Sequence, residues 1–209
     1  QNLVYRTCDG ACDQAANWSV DLALWPSIEG QVSLRLDAQA RPRVFFNENG
    51  GGGRHLTLYT WCDSNCGTKA SWQTVSIGLP AADGKRGLDF DLHANGAVSA
   101  AYETEAASMA VVTCTANCQT LTGSWDRNVR EDGDMVKADV SPPIPAVCAT
   151  LNPPKQGYAY WYPGEQTSAA VNPVTGKLEV AYRTYTLERC GFSGNPVEGV
   201  SLTRYSGPF

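Results

Sequence analysis

Cys8-Asp9-Gly10-Ala11-Cys12, with Trp18 six residues past the second cysteine, decides how this chain is read, because the arrangement occurs three times. It returns as Cys62 and Cys66 with Trp72, and, with the tryptophan one residue later, as Cys114 and Cys118 with Trp125. The first cysteines lie 54 and 52 residues apart, and a short apolar run precedes each pair: Leu3-Val4-Tyr5, Leu56-Thr57-Leu58-Tyr59 and Met109-Ala110-Val111-Val112. A fixed period of about fifty residues marks one supersecondary unit repeated along the chain.

Outward from each motif the same elements recur. After Trp18 the apolar residues of Trp18-Ser19-Val20-Asp21-Leu22-Ala23-Leu24 fall at every second position, the pattern of a half-buried strand. Val32-Ser33-Leu34-Arg35-Leu36-Asp37 alternates again, Arg43-Val44-Phe45-Phe46 follows, and the glycines from Gly50 to Gly53 read as a hairpin connection to the next cysteine strand. Trp72 to Ile77, Leu88 to Leu92 and Val98 to Tyr102 repeat that order. Four meandering strands per period predict an all-β fold: a β-propeller-like array of four-stranded antiparallel blades, stapled by disulfides, and incomplete at both ends or closed by a partner. One domain over residues 1–209 is expected, with repeats at about 1–30, 31–78, 87–130 and 167–209, and a proline- and tyrosine-rich insertion at 131–166. A second long loop is expected at 186–198. With the strands of a unit lettered a to d, the chain begins and ends at a c strand, and residues 3 to 24 form an unmatched pair.

Composition agrees. The chain has 20 Gly, 12 Pro, 9 Tyr and 6 Trp but 2 Met, which suits strands and tight turns. Its net charge is −5 and its 16 basic residues are scattered, so no phosphate-tracking surface, and hence no nucleic-acid partner, is expected. No apolar run of transmembrane length occurs. Six of the eight cysteines sit in close pairs within predicted turns, so Cys8, Cys12, Cys62, Cys66, Cys114 and Cys118 read as disulfides of an oxidising compartment: secreted, periplasmic or cell-surface. Zinc is the rival reading, although no pair has a second pair of ligands at regular distance. Cys148 and Cys190 remain, one in each insertion, and a bridge between them is expected. The start at Gln1, without Met or a leader pattern, is read as a removed signal peptide or a segment of a longer protein.

Ser33-Leu34-Arg35-Leu36-Asp37, Arg41-Pro42-Arg43-Val44-Phe45-Phe46-Asn47, and Leu56-Thr57-Leu58-Tyr59 ahead of the cysteines with Trp72 after them resemble the tandem repeats of secreted bacterial β-propeller proteins. The resemblance covers about three quarters of the chain, leaving out 131–166 and 186–198. A weaker similarity is to sialidase-type propellers, in which an Asp-containing turn between the third and fourth strands precedes a Trp; the arginine triad of a sialidase matches no positions here. The resemblance implies the fold, which hosts binding proteins and hydrolases alike.

Candidates for chemistry are few. Asp89 and Asp91 share one face of a strand, and channel-lining acids would suit glycosidase chemistry; a solvated strand face is the plain alternative. His93 aligns with Asp37 and Asn172, which makes it a turn residue or, together with His55, a copper or zinc ligand. Tyr158, Tyr160 and Tyr162 would share one face of an extended segment, with Trp161 on the other, forming a stacking surface for a sugar or a protein, or a cover for the blade beneath. Trp18, Trp72 and Trp125 are expected to pack on neighbouring blades. No cofactor is implied. The leading expectation is an extracytoplasmic binding or scaffold module, possessing a protein or homo-oligomeric partner at its end strands and the 131–166 insertion, with a glycan as a further ligand. A carbohydrate-active hydrolase or lyase is the alternative, and a copper or zinc protein a weaker one.

Overall fold

The computed structural model describes residues 1–49, 55–77, 83–104, 108–120, 125–131, 157–190, 196–198 and 201–206. They form an all-β fold of four antiparallel sheets. The first sheet has two strands, β1 (Leu3–Tyr5) and β2 (Leu22–Trp25). The second is a meander of β3 (Ile28–Leu36), β4 (Pro42–Asn49), β5 (His55–Cys62) and β6 (Trp72–Ser76). The third repeats it with β7 (Asp83–Leu92), β8 (Val98–Thr104), β9 (Met109–Cys114) and β10 (Trp125–Glu131). In the fourth, β11 (Gly157–Val171) pairs with β12 (Leu178–Cys190), and β12 pairs in turn with β13 (Pro196–Glu198) and β14 (Ser201–Ser206).

Alternation along these strands sends successive side chains to opposite faces, and the core follows from it. Leu3 and Leu24 of the first sheet meet Val44, Phe46 and Leu58 of the second. From the other face of the second sheet, Phe45, Tyr59 and Trp61 meet Leu88, Phe90, Ala100 and Val112 of the third. The opposite face of the third, through Ala101, Met109 and Val111, meets Ala169, Leu178, Val180 and Tyr182 of the fourth. The sheets therefore stack face to face in chain order, each with a leading face toward the preceding sheet and a trailing face toward the next. Both faces of β8 are covered and every one of its residues is buried. Phe45 centres the largest cluster, its ring 5.4 Å from Tyr59, 5.2 Å from Phe90 and 5.8 Å from Trp125. Such aromatic pairs add about 0.5–1.5 kcal/mol each beyond the area they bury.

The first strands of the units lie side by side, and Asp89 joins three of them. It accepts from the hydroxyl of Ser33 and, at 3.0 Å to each oxygen, from the Arg35 guanidinium of β3, while the amide of Ala169 in β11 donates to Oδ2 at 2.8 Å. Asp91 repeats the reach, accepting from the amide of Val171 at 2.8 Å. Arg35 also donates to the carbonyl of Ala169 at 3.3 Å and lies 5.7 Å from the Phe90 ring centre. The strands approach so closely at Gly87 that an added Cβ would fall 1.8 Å from the carbonyl oxygen of Gly164.

Several expectations change. The face that carries Asp89 is not solvated, since Asp89 is 7 % exposed. β11 begins at Gly157, inside the segment read as an insertion, and β12 runs to Cys190, inside the second loop; Gly157 pairs with Cys190 and Tyr162 with Tyr185. The fourth sheet thus extends past its repeat as a β11–β12 ribbon, with β13 added along β12 at Glu188 and Arg189. Cys148 lies outside the described residues, as does the Cys190 side chain. Among the described residues no helix is long and apolar enough to cross a membrane.

Gly87→Ala is expected to destabilise the fold by about 3 kcal/mol or more, because the backbone it meets cannot retreat without parting the sheets. Asp89→Ala is expected to cost about 3 kcal/mol by leaving a guanidinium and a buried amide without their acceptor. Urea unfolding of both variants against the parent measures these losses.

Candidate functional site

Two kinds of turn at one end of the sheets build the site. The first links the opening strands of each unit. Asp37 donates its amide to the Arg41 carbonyl at 3.0 Å, His93 donates likewise to Ala97 at 2.9 Å, and Asn172 to Lys177 at 2.8 Å. The three residues that align in sequence therefore hold one structural place. Asp37 Oδ1 accepts the amides of Gln39 at 3.0 Å and Arg41 at 2.9 Å, and Asn172 Oδ1 accepts those of Val174 at 2.9 Å and Thr175 at 3.2 Å. The His93 ring instead meets the Ser99 hydroxyl through Nε2 at 2.8 Å.

The second kind is the stapled turn between the third and fourth strands. Cys8–Cys12, Cys62–Cys66 and Cys114–Cys118 are disulfides, with Cα atoms 5.8, 5.7 and 5.7 Å apart, so these six cysteines are not metal ligands. In two of these turns the residue before the second cysteine is left-handed, Asn65 (φ 55°) and Asn117 (φ 54°), as asparagine adopts more readily than other side chains, whereas the Cys8–Cys12 turn has Gly10 at φ 146°. The indole of Trp72 donates to the Cys66 carbonyl at 2.9 Å, and that of Trp18 to Cys12 at 2.9 Å. Two of the tryptophans also face backward along the stack: Trp72 meets Tyr5 with ring centres 4.7 Å apart, and Trp125 meets Tyr59 at 6.0 Å. Trp18 is 41 % exposed and lacks the expected neighbour among the described residues.

Between the Asp37 turn of the second sheet and the His93 and Cys114–Cys118 turns of the third, an open cleft of about 720 Å³ forms. Arg41, Arg43, His93, Asn95 and Gln119 contribute to its polar lining, and Leu36 and Leu92 to its apolar part. Its charges are paired at the wall. Arg43, 3 % exposed, donates to Asp37 and to Asp63 at 2.7 Å each and to the Cys62 carbonyl at 3.0 Å, so it ties one turn to the other. Arg41 donates through Nε to Asp37 at 2.8 Å and lies 3.4 Å from Asp63. Burial alone would raise the Asp37 carboxyl. The Arg41 amide and guanidinium, the Gln39 amide and the Arg43 charge outweigh it and hold Asp37 below its usual range. Burial pushes the Tyr59 hydroxyl up to about 12, with the Arg43 charge opposing and those of Asp37 and Asp63 reinforcing, so Tyr59 stays neutral beneath the cleft.

Of the residues singled out in sequence, His93 lines this cleft, and so does Asp91, whose Oδ2 is taken by Val171. Asp89 is taken up at the strand junction. His55 opens β5, and the side chains of His55, Tyr158, Tyr160, Trp161 and Tyr162 lie outside the described set; in backbone register Tyr158 pairs with Arg189 and Tyr160 with Leu187. Among the described residues no three His, Cys, Asp or Glu side chains gather as a metal site would require. Sequence reading missed Arg43 as the tie between the two turns and took Asp63 as a turn residue only, without its pairing to Arg43. The only signal was an arginine on a strand otherwise apolar over Val44-Phe45-Phe46.

A depressed carboxyl stabilises the fold above its ordinary pKa and loses that contribution as pH falls through its lowered value. Acid unfolding followed by tryptophan fluorescence is therefore expected to steepen below about pH 4 in the parent. Asp37→Asn keeps the turn acceptor but removes the charge, and is expected to be less stable at neutral pH with a shallower loss in acid.

No family model matches the chain, and no curated protein does. Among solved structures, a fucose lectin from Kordia zhangzhouensis in complex with methyl-fucoside aligns over 83% of this chain and 97% of its own, at 10% identity and a TM-score of 0.38.

Proposed function

We propose that this chain is an extracytoplasmic binding and scaffold module of β-propeller type, and that the cleft between the second and third sheets is its recognition site for a neutral polar ligand, of which a glycan is the class that fits. The observation carrying this reading is that the acidic groups of the cleft are already paired: Asp37 is held by Arg41 and Arg43, which also reach Asp63 behind the lining, and Asp91 lies 3.6 Å from Arg35. An ionic ligand would have to break those pairs. A neutral sugar would not, and its hydroxyls find the amides of Gln39, Asn95 and Gln119, while its C–H faces find Leu36 and Leu92. Three disulfides support an oxidising compartment. The hydrolase alternative needs Asp89 and Asp91 turned to a substrate, whereas their oxygens serve Ser33, Arg35, Ala169 and Val171. The scaffold half of the reading gives the chain a protein or homo-oligomeric partner at its end strands and the 131–166 segment.

Titration calorimetry against neutral and acidic oligosaccharides tests the cleft. Binding to a neutral member is expected, weakened by about tenfold or more in Gln119→Trp and Gln39→Trp with the melting temperature unchanged. Equal binding by parent and Trp variants, or no binding across the panel, overturns the assignment.

A further inference from the structure

We propose that a small pocket between the first and second sheets receives the carboxyl-terminal residue of a peptide, with a branched aliphatic side chain on the pocket floor and the carboxylate facing Lys69. The pocket has a volume of about 90 Å³ and shares no lining residue with the cleft. The inference therefore stands whether or not the cleft takes a glycan.

Comparison of the two junctions shows why the space exists. In strand register Val44, Thr60 and Thr74 of the second sheet correspond to Ala100, Val112 and Arg127 of the third, and Phe46 corresponds to Tyr102. At the second junction Arg127 lies across that place and donates through Nε to the Tyr102 hydroxyl at 3.2 Å. At the first junction the arginine is a threonine and the tyrosine a phenylalanine. A long side chain and a phenolic hydroxyl are thereby removed from the junction, and the pocket lies where they would be.

Its lining selects the occupant. Leu3, Leu24 and Phe46 form a buried apolar floor. Trp25 and Trp72 stand beside it, but their indole N–H groups are committed to Glu48 at 3.0 Å and to the Cys66 carbonyl at 2.9 Å, so they offer apolar ring surface alone. Glu48 itself does not line the pocket. A cavity of about 150 Å³ takes a benzene ring, and a water-sized group fills roughly 30 Å³. The present space thus suits about three such groups, the isopropyl end of leucine or valine rather than an aromatic ring. Thr60 donates to the Gln73 carbonyl at 2.7 Å and Thr74 donates to Thr60 at 2.9 Å, which leaves the lone pairs of Thr74 for an N–H donor. Lys69, exposed at the rim, has no ion pair among the described residues and calls for an anion. A short branched side chain, an amide N–H and a carboxylate on one carbon are the carboxyl-terminal residue of a peptide.

Heteronuclear NMR with N-acetyl-leucine and the tripeptide Gly-Gly-Leu as probes tests the site. Both are expected to give saturable shifts of the Trp25 and Trp72 indole signals, at about millimolar affinity. N-acetyl-alanine and the neutral N-acetyl-leucinamide are expected to bind about fivefold or more weakly. Thr74→Arg, which restores the side chain of the next junction at an exposed position, is expected to lower affinity tenfold or more with the melting temperature unchanged. Lys69→Gln should erase the preference for acid over amide, and this readout holds even if the arginine variant folds poorly. Absence of saturable shifts at the two indoles, equal binding of the acid and the amide by the parent, or equal binding of the alanine and leucine probes overturns the proposal. Binding of N-acetyl-leucine without Gly-Gly-Leu overturns the assignment to a peptide.

Discussion

The carboxylate of Asp89 holds together what the backbone ladders leave apart. Hydrogen bonds between neighbouring strands complete each sheet, but nothing in a ladder fixes one sheet against the next. Asp89 does so at the inner edge, taking Ser33 and Arg35 from the second sheet and the Ala169 amide from the fourth. A buried carboxylate is tolerated only when charged and dipolar donors surround it, and here those donors come from two different sheets. The close approach at Gly87 is the steric counterpart of that bond. Away from the inner edge the sheets are held by apolar faces, which are less particular about angle.

Once the inner strands are set, the turns at their ends converge and the cleft follows. Arg43 ties the opening turn of the second sheet to its stapled turn through Asp37, Asp63 and the Cys62 carbonyl. The disulfides serve the same end. A bridge closing so short a loop removes little freedom from the unfolded chain, so its effect lies mainly in holding a turn whose left-handed asparagine would otherwise have alternatives. Neutral charge and apolar carbons beside amide groups are what such a wall offers to solvent, and the recognition proposed for it rests on that.

The repeat was legible because two periods coincide: cysteines about fifty residues apart and apolar residues at every second place. Together they located the central residues of β3 to β10 and aligned Asp37, His93 and Asn172 correctly, although β3 begins at Ile28, four residues before Val32, and β7 at Asp83, five before Leu88. The fourth sheet was read less well. Proline and tyrosine between 141 and 162 hid the start of β11, since a strand without clean alternation looks like loop until its partner is known. The fate of Asp89 was also invisible. Alternation put it opposite Leu88 and Phe90, the usual sign of a solvated face, and only the packing of three inner strands shows that this face is an interface. Nor could pattern alone show that Leu34 and Leu36, apolar like their counterparts in the third sheet, would be left uncovered.

Amide hydrogen exchange at Ala169 and Val171 tests the junction directly, because both amides donate to side-chain carboxylates across the sheet boundary rather than to a ladder partner. Slow exchange at both, with Ala169 released selectively in Asp89→Ala while Val112 in the core of the third sheet stays protected, is the expected result. Rapid exchange of Ala169 and Val171 in the intact protein would contradict it.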